Sequence, residues 1–139
     1  MAFVQARIKN TRDIEPLDIV AGTVTTQKQL LARIVSGGSA GTVEPATSAS
    51  TRADLEGVCN QSLASTDTQV QVPAIMISSD DTWIADLSNP SDPAMNLQRM
   101  VLADSETVNN TGTDDADGVV IQVEPYGPSA NNQAIVRFV

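Results

Sequence analysis

Residues 68–87 narrow the possible folds more than any other part of the sequence. At residues 70–76, apolar residues at every second position alternate with Gln, Pro or Ile, which is the period of a half-buried strand. Ser and Asp follow at residues 78–81, and their side chains favour a turn because they hydrogen-bond to nearby backbone groups. Trp83 and the apolar residues at alternate positions after it then share one face of a second strand. The pattern predicts a β-hairpin that places the single tryptophan in the core.

Six to eight short strands are predicted along the whole chain, separated by turns rich in Gly, Pro, Asn and Asp. Residues 25–35 fit both helical and strand spacing, and we interpret them as a strand because their surroundings are β-like. The last two strands flank a turn-rich loop and are expected to pair as an antiparallel hairpin. The pattern predicts an all-β protein, a small antiparallel β-barrel or sandwich with long polar loops. Besides the first hairpin, strands are predicted at residues 17–24, 55–59, 119–123 and 134–139, and one more is centred on residues 99–102. Residues 2–9 are extended, either as an edge strand or as an arm on a neighbouring surface.

The length of 139 residues predicts a single domain. Residues 1–16 alternate loosely and then become polar. They are expected to form an extended N-terminal arm, either an edge strand of the protein's own sheet or a segment on a neighbouring surface. Residues 17–139 are expected to form the β-barrel-like domain. Within it, residues 36–51 consist mostly of Gly, Ser, Thr and Ala, which predicts a flexible surface loop.

The net charge of −9, from 17 acidic and 8 basic residues, limits the possible partners. Nucleic-acid binding is disfavoured because its affinity depends on cationic side chains that neutralise phosphates. An anionic membrane surface is disfavoured for the same reason. No apolar run approaches the roughly 18 residues that cross a bilayer, and the N-terminal segment lacks the apolar region of a signal peptide. We therefore expect neither a nucleic acid nor a membrane as partner.

The sequence contains few of the residue types that carry out catalysis or hold a metal. Histidine is absent, which excludes Ser-His-Asp and Cys-His machinery and a His-containing zinc site. Cys59 is the only cysteine and is expected to be a buried, inert thiol. Asp114, Asp115 and Asp117 invite comparison with a calcium loop, but the register and the final Glu of that loop are missing. We expect a protein that is not an enzyme, with no catalytic residue, no cofactor and no metal.

Four stretches carry a resemblance to a known family. They are GTVEPAT at residues 41–47, LEGV at residues 55–58, TDTQVQV at residues 66–72, and a C-terminal module that runs from DGVVIQVEPYG to AIVRFV. In this organisation, over about residues 17–139, the chain is similar to the head decoration (cement) proteins of tailed bacteriophages and related viruses. The resemblance implies a small β-barrel protein that sits on the outside of an icosahedral capsid and reinforces the shell.

The resemblance also implies partners and a location. The major capsid protein is the expected partner, and the chain is expected to form a homo-oligomer, a trimer or a dimer, on the capsid surface of a virion assembled in the host cytoplasm. Two other functions stay open: a tail, fibre or baseplate β-domain of a phage, and a small ligand-binding or carbohydrate-binding β-module. Contacts with the shell or a sister subunit are expected at Phe3, Val4, Arg7, Ile8, Arg12, Val43 and Pro45.

Overall fold

The computed structural model describes residues 3–7, 14–128 and 131–139. These residues are almost entirely strands and connecting turns, so the predicted all-β class is confirmed. The strands are β1 Phe3–Arg7, β2 Ile14–Asp18, β3 Leu30–Arg33, β4 Val43–Pro45, β5 Leu55–Cys59, β6 Gln71–Met76, β7 Thr82–Leu87, β8 Arg99–Leu102, β9 Thr107–Asn109, β10 Val120–Pro125 and β11 Gln133–Phe138. Two short 3-10 helices, η1 Arg52–Asp54 and η2 Pro93–Met95, accompany them. Within the described residues, neither helix is long and apolar enough to cross a membrane.

The first sheet closes into a small barrel. Its strand order is β1-β7-β11-β10-β8-β9, and β9 also pairs in parallel with β7. This pairing joins β7, β11, β10, β8 and β9 into a five-stranded ring, with β1 alongside β7. The predicted hairpin of the last two strands is confirmed, because β10 and β11 are antiparallel neighbours with Val120 opposite Phe138.

The second sheet has the order β2-β6-β5-β3-β4, and all its neighbouring strands are antiparallel. A parallel bridge between Ile19 and Val43 joins the chain just after β2 to β4, the strand at the opposite edge. The sheet therefore curls around a small core of its own. Cys59 belongs to this core and is buried as predicted, with its thiol donating to the Gln61 carbonyl over 3.0 Å. The smaller core is formed by Ile19, Leu31, Val43, Cys59, Leu63, Val72 and Ala74.

The larger core joins the two sheets. Trp83 is fully buried in it, as predicted, and its ring meets Phe138 edge-on with 6.1 Å between the centroids. Phe138 also packs against Phe3, at a centroid distance of 5.6 Å. Because β3 directs Leu30 into the larger core and Leu31 into the smaller one, the second sheet separates the two cores and is buried on both faces there.

The predicted hairpin between β6 and β7 is wrong. Both strands exist, but β6 pairs with β2 and β5, whereas β7 pairs with β1 and β11. The intervening residues therefore carry the chain from the second sheet to the first. The alternation of apolar and polar residues predicts which face of a strand is buried. It does not predict which strands pair with it on either side. Here the buried faces also serve different cores, because Val72 and Ala74 line the smaller core while Trp83 and Ala85 line the larger one.

Of the two alternatives predicted for the N-terminal segment, its described residues match edge strands of the protein's own sheets. Its described parts belong to β1 and β2, one strand in each sheet, and Phe3 is only 1% exposed. The strand predicted at residues 17–24 instead begins at Ile14 and ends at Asp18. Pro16 concealed this strand, because proline has no N–H to donate to a ladder and is tolerated mainly at sheet edges. In the structure it lies on the edge strand β2, opposite Pro73 of β6.

The predicted loop at residues 36–51 also contains ordered pairing. It includes β4, which pairs with β3, and the N–H of Ala46 donates to the Leu30 carbonyl over 2.9 Å. Val43 and Ala46 are both buried. Two apolar side chains therefore hold a segment whose Gly and Ser content alone predicts a surface loop.

The burial of Phe3 gives a test of the place of β1 in the fold. Phe3→Ala is expected to lower the free energy of unfolding by about 3–5 kcal/mol, because it removes a buried ring and leaves a cavity. Urea denaturation followed by Trp83 fluorescence measures the change. Val4→Ala, at the half-buried neighbouring position on the other face of β1, is the matched control and should cost clearly less. Equal, small losses for both variants would contradict a core position for Phe3.

Gly118 lies just before β10, and its backbone passes close to β8. A substitution at this position tests that close approach. A Cβ atom at this position would lie 2.6 Å from the Arg99 Cβ and 2.7 Å from the Met100 nitrogen. Gly118→Ala is therefore expected to lower the free energy of unfolding by about 1–3 kcal/mol through overpacking. The control is Gly38→Ala, where the new methyl group would meet no atom within 4 Å. Thermal unfolding should show no loss for the control, and a Gly118→Ala variant as stable as the wild type would refute the close approach.

Candidate functional site

The predicted contact residues do not form one surface. Phe3 and Val43 lie in different cores, and this burial corrects the prediction for them, because their side chains are not available to a partner. Val4 and Pro45 are half-buried. For Arg7 the structure gives only the position of its backbone at the end of β1. The remaining two predicted residues, Ile8 and Arg12, lie outside the described residues.

A different candidate emerges at residues 92–98, here called the 92–98 turn. Asp92 caps the 3-10 helix η2, because its Oδ1 accepts a hydrogen bond from the Ala94 N–H over 2.9 Å. Pro93 occupies the first helical position, where its missing N–H costs nothing. This Asp-Pro pair is a helix-start signal that can be read from the sequence.

Leu97 is the most unusual residue of the 92–98 turn. Its φ is +66°, a left-handed conformation that costs a residue with a Cβ atom roughly 1–2 kcal/mol. The conformation is held by hydrogen bonds from the Leu97 N–H to the Gln122 carbonyl, 2.7 Å, and from the Gln98 N–H to the Met95 carbonyl, 3.0 Å. The Leu97 side chain is nevertheless 69% exposed. Strained backbone of this kind tends to occur at functional positions.

Gln122 fixes the 92–98 turn to the barrel. It is fully buried on β10, and its Nε2 donates to the Asp92 carbonyl and to the Asn96 Oδ1, each over 2.8 Å. Asn96 also forms a parallel bridge with Gln122. Because three contacts from one buried residue reach both ends of the turn, the turn is a rigid extension of the barrel wall rather than an independent loop.

A polar pocket of about 450 Å³ lies beside the 92–98 turn. Asn110, which is only 5% exposed, fixes its far wall. The Asn110 Oδ1 accepts from the Asn89 N–H over 2.8 Å, and its Nδ2 donates to the Asn89 carbonyl over 3.0 Å. The two walls thus come from segments that are separate in the sequence and meet only in the fold. The pocket is lined by Asn89, Pro90, Asp92, Ala94, Met95, Gln98, Asn110, Thr111 and Gly112.

The stretch of chain that supplies the pocket residues is acidic in sequence, although Asp92 is the one charged residue in the pocket lining. Residues 89–118 contain six acidic residues, and Arg99 is their single basic residue. Arg99 is neutralised by Asp114, with 2.8 Å between the guanidinium Nη2 and the Asp114 Oδ2 and 2.7 Å between the Arg99 backbone nitrogen and the Asp114 Oδ1. The acidic residues are Asp92, Asp104, Glu106, Asp114, Asp115 and Asp117.

The Arg99–Asp114 pair changes the titration of both groups. The side-chain hydrogen bond from Arg99, followed by the hydrogen bond from its backbone N–H, holds the pKa of Asp114 below its ordinary value. The same side-chain hydrogen bond raises the pKa of Arg99. Asp115 makes a local bond, because its Oδ1 accepts from the Asp117 N–H over 2.9 Å. Across the residues that the structure describes, no group of three or more His, Cys, Asp or Glu side chains lies close enough to hold a metal ion.

No protein-family model matches the chain, and no curated protein matches it. The 92–98 turn and its pocket are therefore interpreted from their own contacts, burial and charge.

The Arg99–Asp114 pair predicts a specific pH dependence. Because the pKa of Asp114 is lowered in the folded state, the stabilisation from this carboxylate is present at neutral pH and is lost as the pH falls through that lowered pKa. Arg99→Gln removes the guanidinium and keeps the backbone donor, so the pKa of Asp114 should rise part of the way to its ordinary value. An NMR titration of the carboxyl carbon measures this. Arg33→Gln, which breaks the separate 3.4 Å pair with Glu56, should leave the pKa of Asp114 unchanged; equal values in all three proteins would rule out the assigned cause.

Proposed function

We propose that this protein is a virion structural protein, a decoration protein that binds the outer surface of an icosahedral capsid and stabilises it. The major capsid protein is the proposed partner, and a trimer or dimer of the chain on the virion surface is the proposed assembly. Three things support the proposal: the resemblance in sequence organisation to capsid cement proteins, the all-β architecture with a five-stranded barrel, and a rigid surface knob at Leu97.

Leu97 is the observation that carries the proposal. A large apolar side chain that is 69% exposed gains free energy when a partner covers it, by about 1.5–3 kcal/mol for complete burial. Because the 92–98 turn is fastened to β10 through Gln122, little conformational entropy is lost when the knob is covered. Such a contact is modest for one molecule. Repetition over the many equivalent positions of a shell, and over the subunits of an oligomer, increases the overall binding strongly.

The charge distribution supports a protein partner with basic surface groups. Five of the nine net negative charges of the chain fall within residues 89–118, which contain six acidic residues and one arginine. Complementary charge speeds association and fixes orientation more than it adds affinity. The acidic segment would therefore guide the protein onto a basic region of the shell, and the covered apolar knob would slow its release.

Rate-zonal sedimentation of a lysate from the natural source of the protein tests the proposed function directly. Antibody detection should find the chain among particles of virion size, and mild denaturant should release it from them. Electron cryo-microscopy of that fraction should then place the chain on the head. Detection only among small species would refute the structural role, and a position on the tail or baseplate would refute decoration of the capsid.

Substitution of Leu97 separates binding from folding. Leu97→Gly is expected to keep or raise the free energy of unfolding, because glycine adopts a φ of +66° without strain, while rebinding to stripped particles falls at least tenfold. Quantitative pelleting with particles measures rebinding. Val35→Gly removes another exposed side chain, 65% accessible, and should leave rebinding unchanged. Full rebinding of Leu97→Gly would contradict the role of the knob, as would a loss of oligomeric state without loss of particle binding.

A further inference from the structure

We propose that residues 19–28 and 60–71, here called the neutral strip, form a surface through which the chain binds a second copy of itself about a twofold axis. Only the place of this dimer on a capsid rests on the proposed function. The contact itself follows from the backbone bonds, burial and charges of the neutral strip, and it can be tested without particles.

Long-range backbone bonds hold the two segments of the neutral strip side by side. At one end, the Lys28 N–H donates to the Cys59 carbonyl over 2.7 Å. In the middle, Thr25 and Leu63 exchange backbone hydrogen bonds of 3.1 and 3.0 Å. The two segments are therefore antiparallel neighbours whose surface is ordered before any partner binds, so little conformational entropy is lost on binding.

The two sides of the neutral strip differ in burial. Ile19 and Leu63 point inward and belong to the smaller core. On the outside, Val20, Val24 and Val70 are 42, 56 and 60% exposed. The backbones near Val20 and Val70 are adjacent, because the Ile19 N–H donates to the Val70 carbonyl over 2.9 Å. Exposed apolar side chains that lie near one another gain free energy when a partner covers them.

The charge of the neutral strip favours a second copy as that partner. The chain has a net charge of −9, so two copies repel each other over most of their surface. Lys28 and Asp67 are the two charged residues of the neutral strip, and their charges cancel. A contact between copies costs least repulsion at such a surface. A basic partner would instead be drawn to the acidic residues 89–118.

The positions of the two charges make the neutral strip complementary to itself. Lys28 lies at one end, and Asp67 lies towards the other end, where its carbonyl accepts from the Gly22 N–H over 3.0 Å. A twofold axis through the middle of the neutral strip exchanges its ends. Lys28 of each copy then meets Asp67 of the other copy, and the two Val24 side chains meet near the axis.

Both charged groups are available for such a contact. Lys28 and Asp67 are exposed, and within the described part of the chain neither forms an ion pair. Asp67 uses its Oδ2 to accept from the Ala64 N–H, which leaves its Oδ1. Lys28 has a φ of +74°, and glycine would make its backbone hydrogen bonds without that strain. The backbone therefore does not explain the lysine, whereas an interchain ion pair does.

Charge reversal in separate chains tests the contact. Sedimentation equilibrium of the full chain should show a monomer–dimer equilibrium. Lys28→Asp and Asp67→Lys should each weaken dimerisation by roughly tenfold or more, because each variant places two like-charged pairs across the contact. An equimolar mixture of the two variants should restore dimerisation, since both pairs then have opposite charges. An ion pair within one copy would be broken in both variants, and mixing could not restore it.

Further variants control for folding and for net charge. Aspartate is one of the residues that tolerate a positive φ, so Lys28→Asp should unfold in urea like the wild type. Asp104→Lys changes the net charge by the same amount as Asp67→Lys. Asp104 is also exposed, and its Oδ1 likewise accepts one backbone hydrogen bond, from the Glu106 N–H over 2.8 Å. This control should dimerise like the wild type.

Three results would overturn the proposal. They are a wild-type chain that stays monomeric at its highest soluble concentration, a trimer in place of a dimer, and a mixture of the two folded variants that does not restore dimerisation. A dimer weakened equally by Asp104→Lys and Asp67→Lys would also overturn it, because net charge rather than the neutral strip would then govern association.

Failure of this inference can be told apart from failure of the proposed function. If the chain stays monomeric in solution but sediments with particles of virion size, the neutral strip is refuted as a contact and the decoration role stands. If the mixed variants restore the dimer but the wild type never sediments with particles, the contact is supported and only the proposed function fails.

Discussion

The aromatic contact of Trp83, Phe138 and Phe3 is the interaction on which the remaining structure depends. These rings are three of the four aromatic side chains in the sequence, and they come from β7, β11 and β1. Aromatic side chains bury more area than aliphatic ones, so a chain with 3% aromatics gains a large share of its core from this one contact. Phe138 also fixes β11 beside β10, and β10 carries the Gln122 that holds the 92–98 turn. The candidate site is thus supported directly by the centre of the fold.

Sequence periodicity predicted the faces of strands better than their partners. The alternation at Trp83 identified a buried face that the structure confirms. The strands predicted around residues 99–102, 119–123 and 134–139 overlap β8, β10 and β11. The sequence could not show whether β6 and β7 pair with each other. Two cores lie on opposite sides of the second sheet, and a strand that faces either core has the same alternation of apolar and polar residues. Phe3 was missed for a related reason, since a single ring in a loosely alternating segment does not reveal which sheet will cover it.

The candidate site could be predicted only in fragments. The Asp-Pro start of η2 is a local signal, whereas the left-handed conformation of Leu97 is imposed by a hydrogen bond to Gln122, which lies in a distant strand. Likewise, nothing in the sequence around Asn110 indicates a structural role. The role follows from the hydrogen bonds of its side-chain amide to the backbone carbonyls of residues 89 and 90. Long-range polar contacts of this kind follow from the completed fold, so no local pattern of residues can report them.

The backbone conformation at position 97 would be satisfied better by glycine than by leucine, so folding alone does not explain the leucine. Where the chain turns with a positive φ it uses glycine at Gly22, Gly37, Gly41, Gly112 and Gly127, which meets the backbone requirement without strain. Lys28 also has a positive φ, but its N–H and carbonyl connect the Cys59 carbonyl to the Phe3 N–H, so its backbone links two sheets. Leu97 likewise gains backbone hydrogen bonds, which glycine would make equally well. Its Cβ atom adds backbone strain and its exposed side chain adds hydrated apolar surface to the isolated protein. A partner that covered the side chain would recover the apolar term, which glycine could not supply.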